Sequence, residues 1–151
     1  MSPSELMVED LFNDTQTVSL CPELFKAKEE FLALFEQLYV VHHPRGSVEI
    51  KLVSCKYNIM RPGERRPMHM HVKTDAYALL YLDDVQEGKG GELVLHDPKF
   101  TDSVFTPANF HLVRPSRGTL IAAPSHVWHE VNPYFGVAER VALVVNCNIV
   151  D

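Results

Sequence analysis

Residues 48–72 have the sequence VEIKLVSCKYNIMRPGERRPMHMHV, which is the most informative segment for the fold class. Apolar and polar residues alternate over 48–60, which is the period of two expected of a half-buried β-strand. Arg61-Pro62-Gly63 interrupts the alternation, and a second alternating stretch follows at 68–72. The pattern therefore predicts two β-strands separated by a tight turn.

The same kind of pattern continues to the C-terminus. Short apolar segments recur between turn-forming residues, namely AYALLYL, GELVLHD, NFHLVRP, GTLIAAPS, WHEVNP and RVALVVNCNIV. Seven or eight short strands at nearly regular spacing are typical of a β-barrel or sandwich, in which closure removes exposed sheet edges. We therefore expect a mainly β chain.

The residues ahead of these strands predict one helix. Pro22 suits the first turn of a helix, and apolar residues then recur at helical spacing over 22–40. These apolar residues are Leu24, Phe31, Leu34, Phe35 and Leu38. The segment 42–46 contains Pro44 and Gly46 and would end the helix.

Length and composition set limits on organisation and partners. A chain of 151 residues suits one domain, with an N-terminal segment at 1–46, irregular over 1–18, and a barrel at 47–151. The net charge of -6 argues against a nucleic-acid partner, which needs a basic patch. No apolar run approaches the ~18 residues of a membrane span, and the N-terminus lacks the features of a secretory signal.

The cysteines indicate a reducing environment. Cys21, Cys55 and Cys147 are too few and too scattered for a disulfide framework or a thiolate zinc site. We expect buried, inert thiols in a cytoplasmic protein.

Three of the eight histidines have the spacing of a metal site. His69 and His71 are two residues apart, so a strand would place both imidazoles on one face. A barrel can build a metal site with open coordination positions from two neighbouring ligands and a distant third, and His129 is the candidate for the third. Asp75 could add a carboxylate ligand, and His126 could line the cavity.

The order of these motifs resembles the 2-oxoglutarate and Fe(II)-dependent oxygenases, especially their small prolyl-hydroxylase-like branch. The similarity runs from Tyr57 to the C-terminus: His69 follows Gly63 by six residues, and LDDVQEGKGGELVLHDP follows Tyr81. The last matching segment, HEVNPYFGVAER, begins with the distal histidine and ends eleven residues later in an arginine, Arg140.

This resemblance implies a double-stranded β-helix, that is, a jelly-roll, cupin-like barrel. It also implies that His69 and His129 bind Fe(II), and that Arg140 holds the distal carboxylate of 2-oxoglutarate with help from Tyr81. A guanidinium suits that role because its fork forms two hydrogen bonds with one carboxylate. Tyr57 matches a tyrosine of the family's pattern and is a further candidate site residue.

His71 departs from the family's pattern, which usually has Asp or Glu at this position. Three neutral imidazoles would leave the ferrous site with a charge of about +2 instead of about +1. Dianionic 2-oxoglutarate could still bind to such a site. Asp75 would restore a carboxylate ligand if the strand bent inward.

The cupin family shares the barrel and provides an alternative. Its first motif resembles the set Gly63, His69, His71 and Asp75, and some cupin dioxygenases use three histidines without 2-oxoglutarate. The pair of neighbouring histidines favours the cupin interpretation, whereas the segment that leads to Arg140 favours the oxygenase.

We therefore expect a non-haem iron dioxygenase that uses Fe(II) and 2-oxoglutarate to oxidise a small molecule, by hydroxylation or related C–H chemistry. No catalytic residue is expected beyond the metal ligands. The alternatives are a three-histidine cupin-type dioxygenase or isomerase that does not use 2-oxoglutarate, and a non-catalytic metal-binding barrel. A second copy of the short chain could complete the pocket in a homodimer.

Overall fold

The computed structural model describes residues 5–8, 22–42, 48–98 and 110–150. In chain order the elements are β1 (Glu5–Val8), α1 (Pro22–His42), β2 (Glu49–Met60), β3 (Arg66–His69), β4 (Ala76–Tyr81), β5 (Leu93–His96), β6 (Phe110–Val113), β7 (Leu120–Pro124), β8 (His129–Val131) and β9 (Arg140–Val150). The predicted helix is present, and eight strands follow it within the described residues.

Two sheets form the body of the chain. A five-stranded sheet has the order β1-β2-β9-β4-β7, a four-stranded sheet has the order β3-β8-β5-β6, and all pairings are antiparallel. Side chains of both sheets meet in shared apolar clusters, as where Met60 of β2 packs with Leu93 of β5 and Val131 of β8. The mainly β, double-stranded β-helix prediction with one N-terminal helix is therefore confirmed.

The helix covers the outer face of the five-stranded sheet. Phe31 and Phe35 of α1 are buried against that face. Because the two sides of β4 face the helix and the barrel interior, its sequence AYALLY is apolar almost throughout. None of the helices in the described ranges has the length and apolar character needed to span a membrane.

Two of the three cysteines lie in this layer. Cys55 and Cys147 are free and buried, and burial raises the pKa of each thiol to about 12. They are buried, as expected, and a raised pKa makes a thiol a poor nucleophile. Cys21 lies outside the described residues.

Two local predictions were wrong. Residues 5–8 form β1 instead of irregular chain, because their backbone pairs with the otherwise open edge of β2, Glu5 opposite Asn58. The strand expected at 68–72 runs from Arg66 to His69, so that His71 lies beyond its end. The rest of the segment 1–18 lies outside the described residues.

The turn predicted at 61–63 carries the chain from one sheet to the other. Glu64 N donates to Arg61 O at 3.0 Å, and Gly63 N donates to Tyr134 O at 2.6 Å. Gly63 has φ +88°, a conformation that side chains disfavour. The turn therefore delivers β3 to the four-stranded sheet, next to β8.

Candidate metal centre

Three histidines converge at the start of β8. His69 and His129 are direct cross-strand partners of β3 and β8, with ring centroids 4.3 Å apart. The ring of His71 lies 5.1 Å from that of His129. One ligand nitrogen from each residue falls within 4.8 Å of the other two. The three residues singled out from the sequence are thus brought together as a group that could hold a metal ion.

His71 joins this group from a loop. The expectation that one strand would present both His69 and His71 was wrong, because β3 ends at His69. The backbone N–H of His71 instead donates to Ser125 O at 3.1 Å. A contact with the end of β7, therefore, and not strand alternation, places His71 beside the other two rings.

Each imidazole has a hydrogen-bond partner at Nδ1. His69 Nδ1 donates to Pro67 O at 2.7 Å, and His129 Nδ1 donates to Val127 O at 3.0 Å. His71 Nδ1 faces Asn146 Oδ1 at 2.5 Å. Since a carbonyl oxygen, of the backbone or of an amide side chain, can only accept a hydrogen bond, this geometry has the proton on Nδ1 of each ring, and Nε2 is the nitrogen that could bind a metal. Such a set of imidazoles suits Fe, Zn, Ni or Cu.

His129 is the buried member of the group, with 4% of its surface exposed. Burial lowers its pKa to about 4, with smaller contributions from the neighbouring histidines. His129 is therefore neutral at pH 7, which is the protonation state that a metal ligand requires.

Tyr77 is a site residue that the sequence reasoning missed. Its ring stacks on His71 with centroids 4.4 Å apart and on His129 at 4.6 Å. Its buried hydroxyl has no hydrogen-bond partner among the described residues, and burial raises its pKa. The available signal was its spacing, because Tyr77 and Tyr81 lie four residues apart on β4 and so share a face.

Arg140 lies on the same inner face, at the start of β9. It is 3% exposed, its Nη1 lies 2.8 Å from Met60 Sδ, and its guanidinium carbon is 4.9 Å from the centroid of the Tyr81 ring. Burial lowers the pKa of Arg140 and raises that of Tyr81. Arg140 Nε and the Tyr81 hydroxyl are buried with no partner in hydrogen-bonding geometry within the described chain. This pair has unused donors that could bind an anion.

Three other candidates are not brought to the histidines. Asp75 Oδ2 accepts a hydrogen bond from Ile149 N at 2.8 Å, so this carboxylate binds the end of β9. Tyr57 packs with the cluster under α1, on the outer face of the sheet. His126 is exposed and is not part of the cavity wall beside the histidines, as far as the described residues show.

A cavity of about 300 Å³ opens beside the histidines. Its wall includes Ser54, Lys56, Thr74 and Asn146 as well as two of the histidines. Lys56 brings a positive charge, and no carboxylate belongs to the part of the wall that the structure describes. The cavity is of a size for a small molecule.

A family model and a curated relative match parts of this chain. The model of the family described as "Putative 2OG-Fe(II) oxygenase" matches residues 54–146. A PKHD-type hydroxylase of Gluconacetobacter diazotrophicus is 36% identical over 70 residues, which are 44% of this chain and 27% of that protein. The chain thus spans about a quarter of the length of the curated relative that it matches.

Solved structures share the fold. A prolyl-4-hydroxylase of Pseudomonas putida is 24% identical with a TM-score of 0.57, over 81% of this chain and 65% of that chain. The viral collagen prolyl hydroxylase of Paramecium bursaria Chlorella virus-1, in a 2OG complex, is 12% identical with a TM-score of 0.59, over 97% and 79% of the two chains. At these identities the likeness concerns the fold.

Proposed function

The chain belongs to the 2OG-Fe(II) oxygenase family, whose model matches residues 54–146, and on this basis we propose that it uses Fe(II) and 2-oxoglutarate to oxidise a small molecule. The observation that carries the proposal is the shared inner face of the barrel. One end of that face holds three convergent imidazoles, and the other end holds a buried arginine whose Nε has no hydrogen-bond partner among the described residues.

The three imidazoles fit a divalent iron. His69, His71 and His129 would hold the metal through Nε2, since Nδ1 of each ring is engaged elsewhere. All three ligands are neutral, so the bound ion would keep its full charge and attract an anionic co-substrate. When bound, the metal and 2-oxoglutarate supply the oxidising chemistry, and the protein supplies binding and orientation.

Arg140 and Tyr81 fit the distal carboxylate of 2-oxoglutarate. Within the described residues no carboxylate pairs with the Arg140 guanidinium, and a buried guanidinium without such a partner is costly because burial disfavours its charged form. A carboxylate would neutralise it and accept hydrogen bonds from Arg140 Nε and the Tyr81 hydroxyl. A binding site for a carboxylate would contain buried donors without partners when it is empty, and among the described residues Arg140 Nε and the Tyr81 hydroxyl are such atoms.

The cavity beside His71 would receive the substrate. Its volume of about 300 Å³ suits a small molecule, and Ser54 and Thr74 offer hydrogen bonds to polar groups. A substrate in this cavity would lie next to the metal, with His69 and His71 in its wall. Small size and polar groups are therefore the substrate properties that the cavity favours.

The test is an anaerobic Fe(II) titration with and without 2-oxoglutarate. We expect the visible charge-transfer band of the chelated complex in the wild type, and a weaker band in Arg140→Ala. Arg114→Ala is the matched control, because Arg114 is exposed and paired with Glu87. Bound iron without a band in the wild type, and turnover without 2-oxoglutarate, would indicate a three-histidine dioxygenase of the cupin type instead.

A further inference from the structure

His71 differs from the other two histidines in how its ring is held. The Nδ1 atoms of His69 and His129 bond to a carbonyl two residues earlier in the chain, so local backbone orients both rings. His71 Nδ1 instead meets Asn146, which is 75 residues away in the sequence. The orientation of this ring therefore depends on the tertiary structure.

The residues around His71 form one row across three strands. Asn146 of β9 pairs in register with Ser54 of β2 on one side and with Tyr77 of β4 on the other. Asn146 Nδ2 donates to Ser54 Oγ at 2.9 Å, while its Oδ1 faces His71 Nδ1. Tyr77 stacks on the His71 ring at an interplanar angle of 10°. All three members of the row thus act on one imidazole, directly or through Asn146.

A β-bulge in β2 makes the row possible. Leu52 lies opposite Cys147 and packs under α1, on the outer face of the sheet. Without an irregularity, Ser54 would point to the same face, since side chains two residues apart in a strand share a face. The register shifts between Leu52 and Ser54, and Ser54 turns to the inner face, where it meets Asn146. Bulges that redirect a side chain are common next to functional sites.

We propose that Asn146, supported by Ser54 and Tyr77, is a positioning residue that prepares His71 as a metal ligand. A carboxylate can present either of two oxygens to a metal, but a histidine must present one particular nitrogen. The Asn146 oxygen keeps the proton on Nδ1, which leaves Nε2 for the metal. The stacked ring of Tyr77 holds the plane of the imidazole. The inference rests on the proposed function only in that a metal binds the three histidines.

Two readouts test the proposal, and neither depends on turnover. The first is the tautomer of His71 in the metal-free protein, read from long-range ¹H–¹⁵N correlation spectra, which distinguish a proton on Nδ1 from one on Nε2. The second is the dissociation constant for Co(II), measured from its visible absorption as a substitute for Fe(II). Circular dichroism of each variant reports on folding.

The wild type should show His71 with its proton on Nδ1. The variant Asn146→Ala should lose this tautomer preference, and it should bind Co(II) about 10- to 100-fold more weakly than the wild type. Asn146→Asp keeps an acceptor at the same place and should preserve both properties. The control Asn132→Ala removes an amide that bonds to Glu92 and no histidine, and should leave both unchanged.

Unchanged Co(II) affinity and an unchanged His71 tautomer in Asn146→Ala would overturn the proposal. If Asn146→Ala does not fold, Ser54→Ala takes its place, with the same shift expected at smaller size. A wild type that binds no Co(II) would refute the metal site of the proposed function. The tautomer of His71 in the metal-free protein would still decide whether Asn146 positions the ring.

Discussion

His69 and His129 face each other directly across β3 and β8, and their ring centroids lie 4.3 Å apart. Two protonated imidazoles at this distance would repel each other, and burial of His129 adds a further penalty for its charged form. The pair is therefore built for neutral rings, which is the state that binds a metal.

The first prediction concerns pH and the stability of the metal-free protein. The pKa of His129 falls from its ordinary 6.5 to about 4 on folding, so between these values the unfolded chain binds more protons than the folded one. The free energy of unfolding should fall as the pH drops from about 6.5 to 4, by up to about 3 kcal/mol. Urea unfolding of the metal-free protein at a series of pH values measures this. His129→Gln should remove most of the slope, and an identical slope in that variant would contradict the assignment to His129.

The second prediction concerns the metal ligands. His129→Ala should abolish binding of Fe(II) or Co(II), because it removes the one buried ligand and leaves two partly exposed imidazoles. Equilibrium dialysis with metal analysis measures the occupancy. His111→Ala serves as the control, since His111 is exposed on β6 and does not belong to the cluster. Full occupancy in His129→Ala would refute the site.

The third prediction separates Arg140 from Tyr81. Arg140→Ala should weaken 2-oxoglutarate binding to the Fe(II)-loaded protein by ~2–5 kcal/mol, the range for truncating one partner of a buried charge pair. Tyr81→Phe should weaken it less, and should raise the stability of the ligand-free protein by about 1 kcal/mol because it removes a buried hydroxyl that has no hydrogen-bond partner among the described residues. Anaerobic calorimetry and urea unfolding provide the two measurements. Unchanged binding in both variants would place the co-substrate elsewhere.

The fourth prediction concerns the hairpin that precedes β5. Gly90 has φ +71°, and a Cβ atom there would lie 2.0 Å from Pro133 O. Gly90→Ala should therefore cost more than about 2 kcal/mol of stability, from backbone strain and a clash with a rigid carbonyl. Gly88 has φ +75° with open space around its Cβ position, so Gly88→Ala isolates the strain alone and should cost less. Equal losses in thermal or urea unfolding would show that the contact with Pro133 does not matter.

Local patterns predicted the secondary structure and a barrel or sandwich, and the family resemblance specified a double-stranded β-helix. The alternation over 48–60 and the short apolar segments after it predicted the strands, and helical spacing predicted α1. These signals are local, because a strand or helix with one buried face repeats its apolar residues with its own period. β1 escaped prediction since its four residues form a strand through pairing with the edge of β2, which no local pattern records.

The candidate site, like the fold, was predicted in part from the sequence. Sequence spacing singled out His69, His71 and His129, and the family resemblance added Arg140. The structure places the three histidines together and Arg140 on the inner face they adjoin. The sequence also left Tyr57, Asp75 and His126 as candidates, because spacing along the chain cannot tell which face a residue takes once a strand bulges or ends.

Patterns within the sequence predict the helix, the strands and the residue types able to hold a metal, and the family resemblance predicts the kind of barrel. How His71 is held depends on the tertiary structure. Ser54, Asn146 and Tyr77 lie on three strands that are distant in sequence, and their common row arises from cross-strand register and one bulge. Register depends on the packing of whole strands against each other, so no single segment of the chain carries that information.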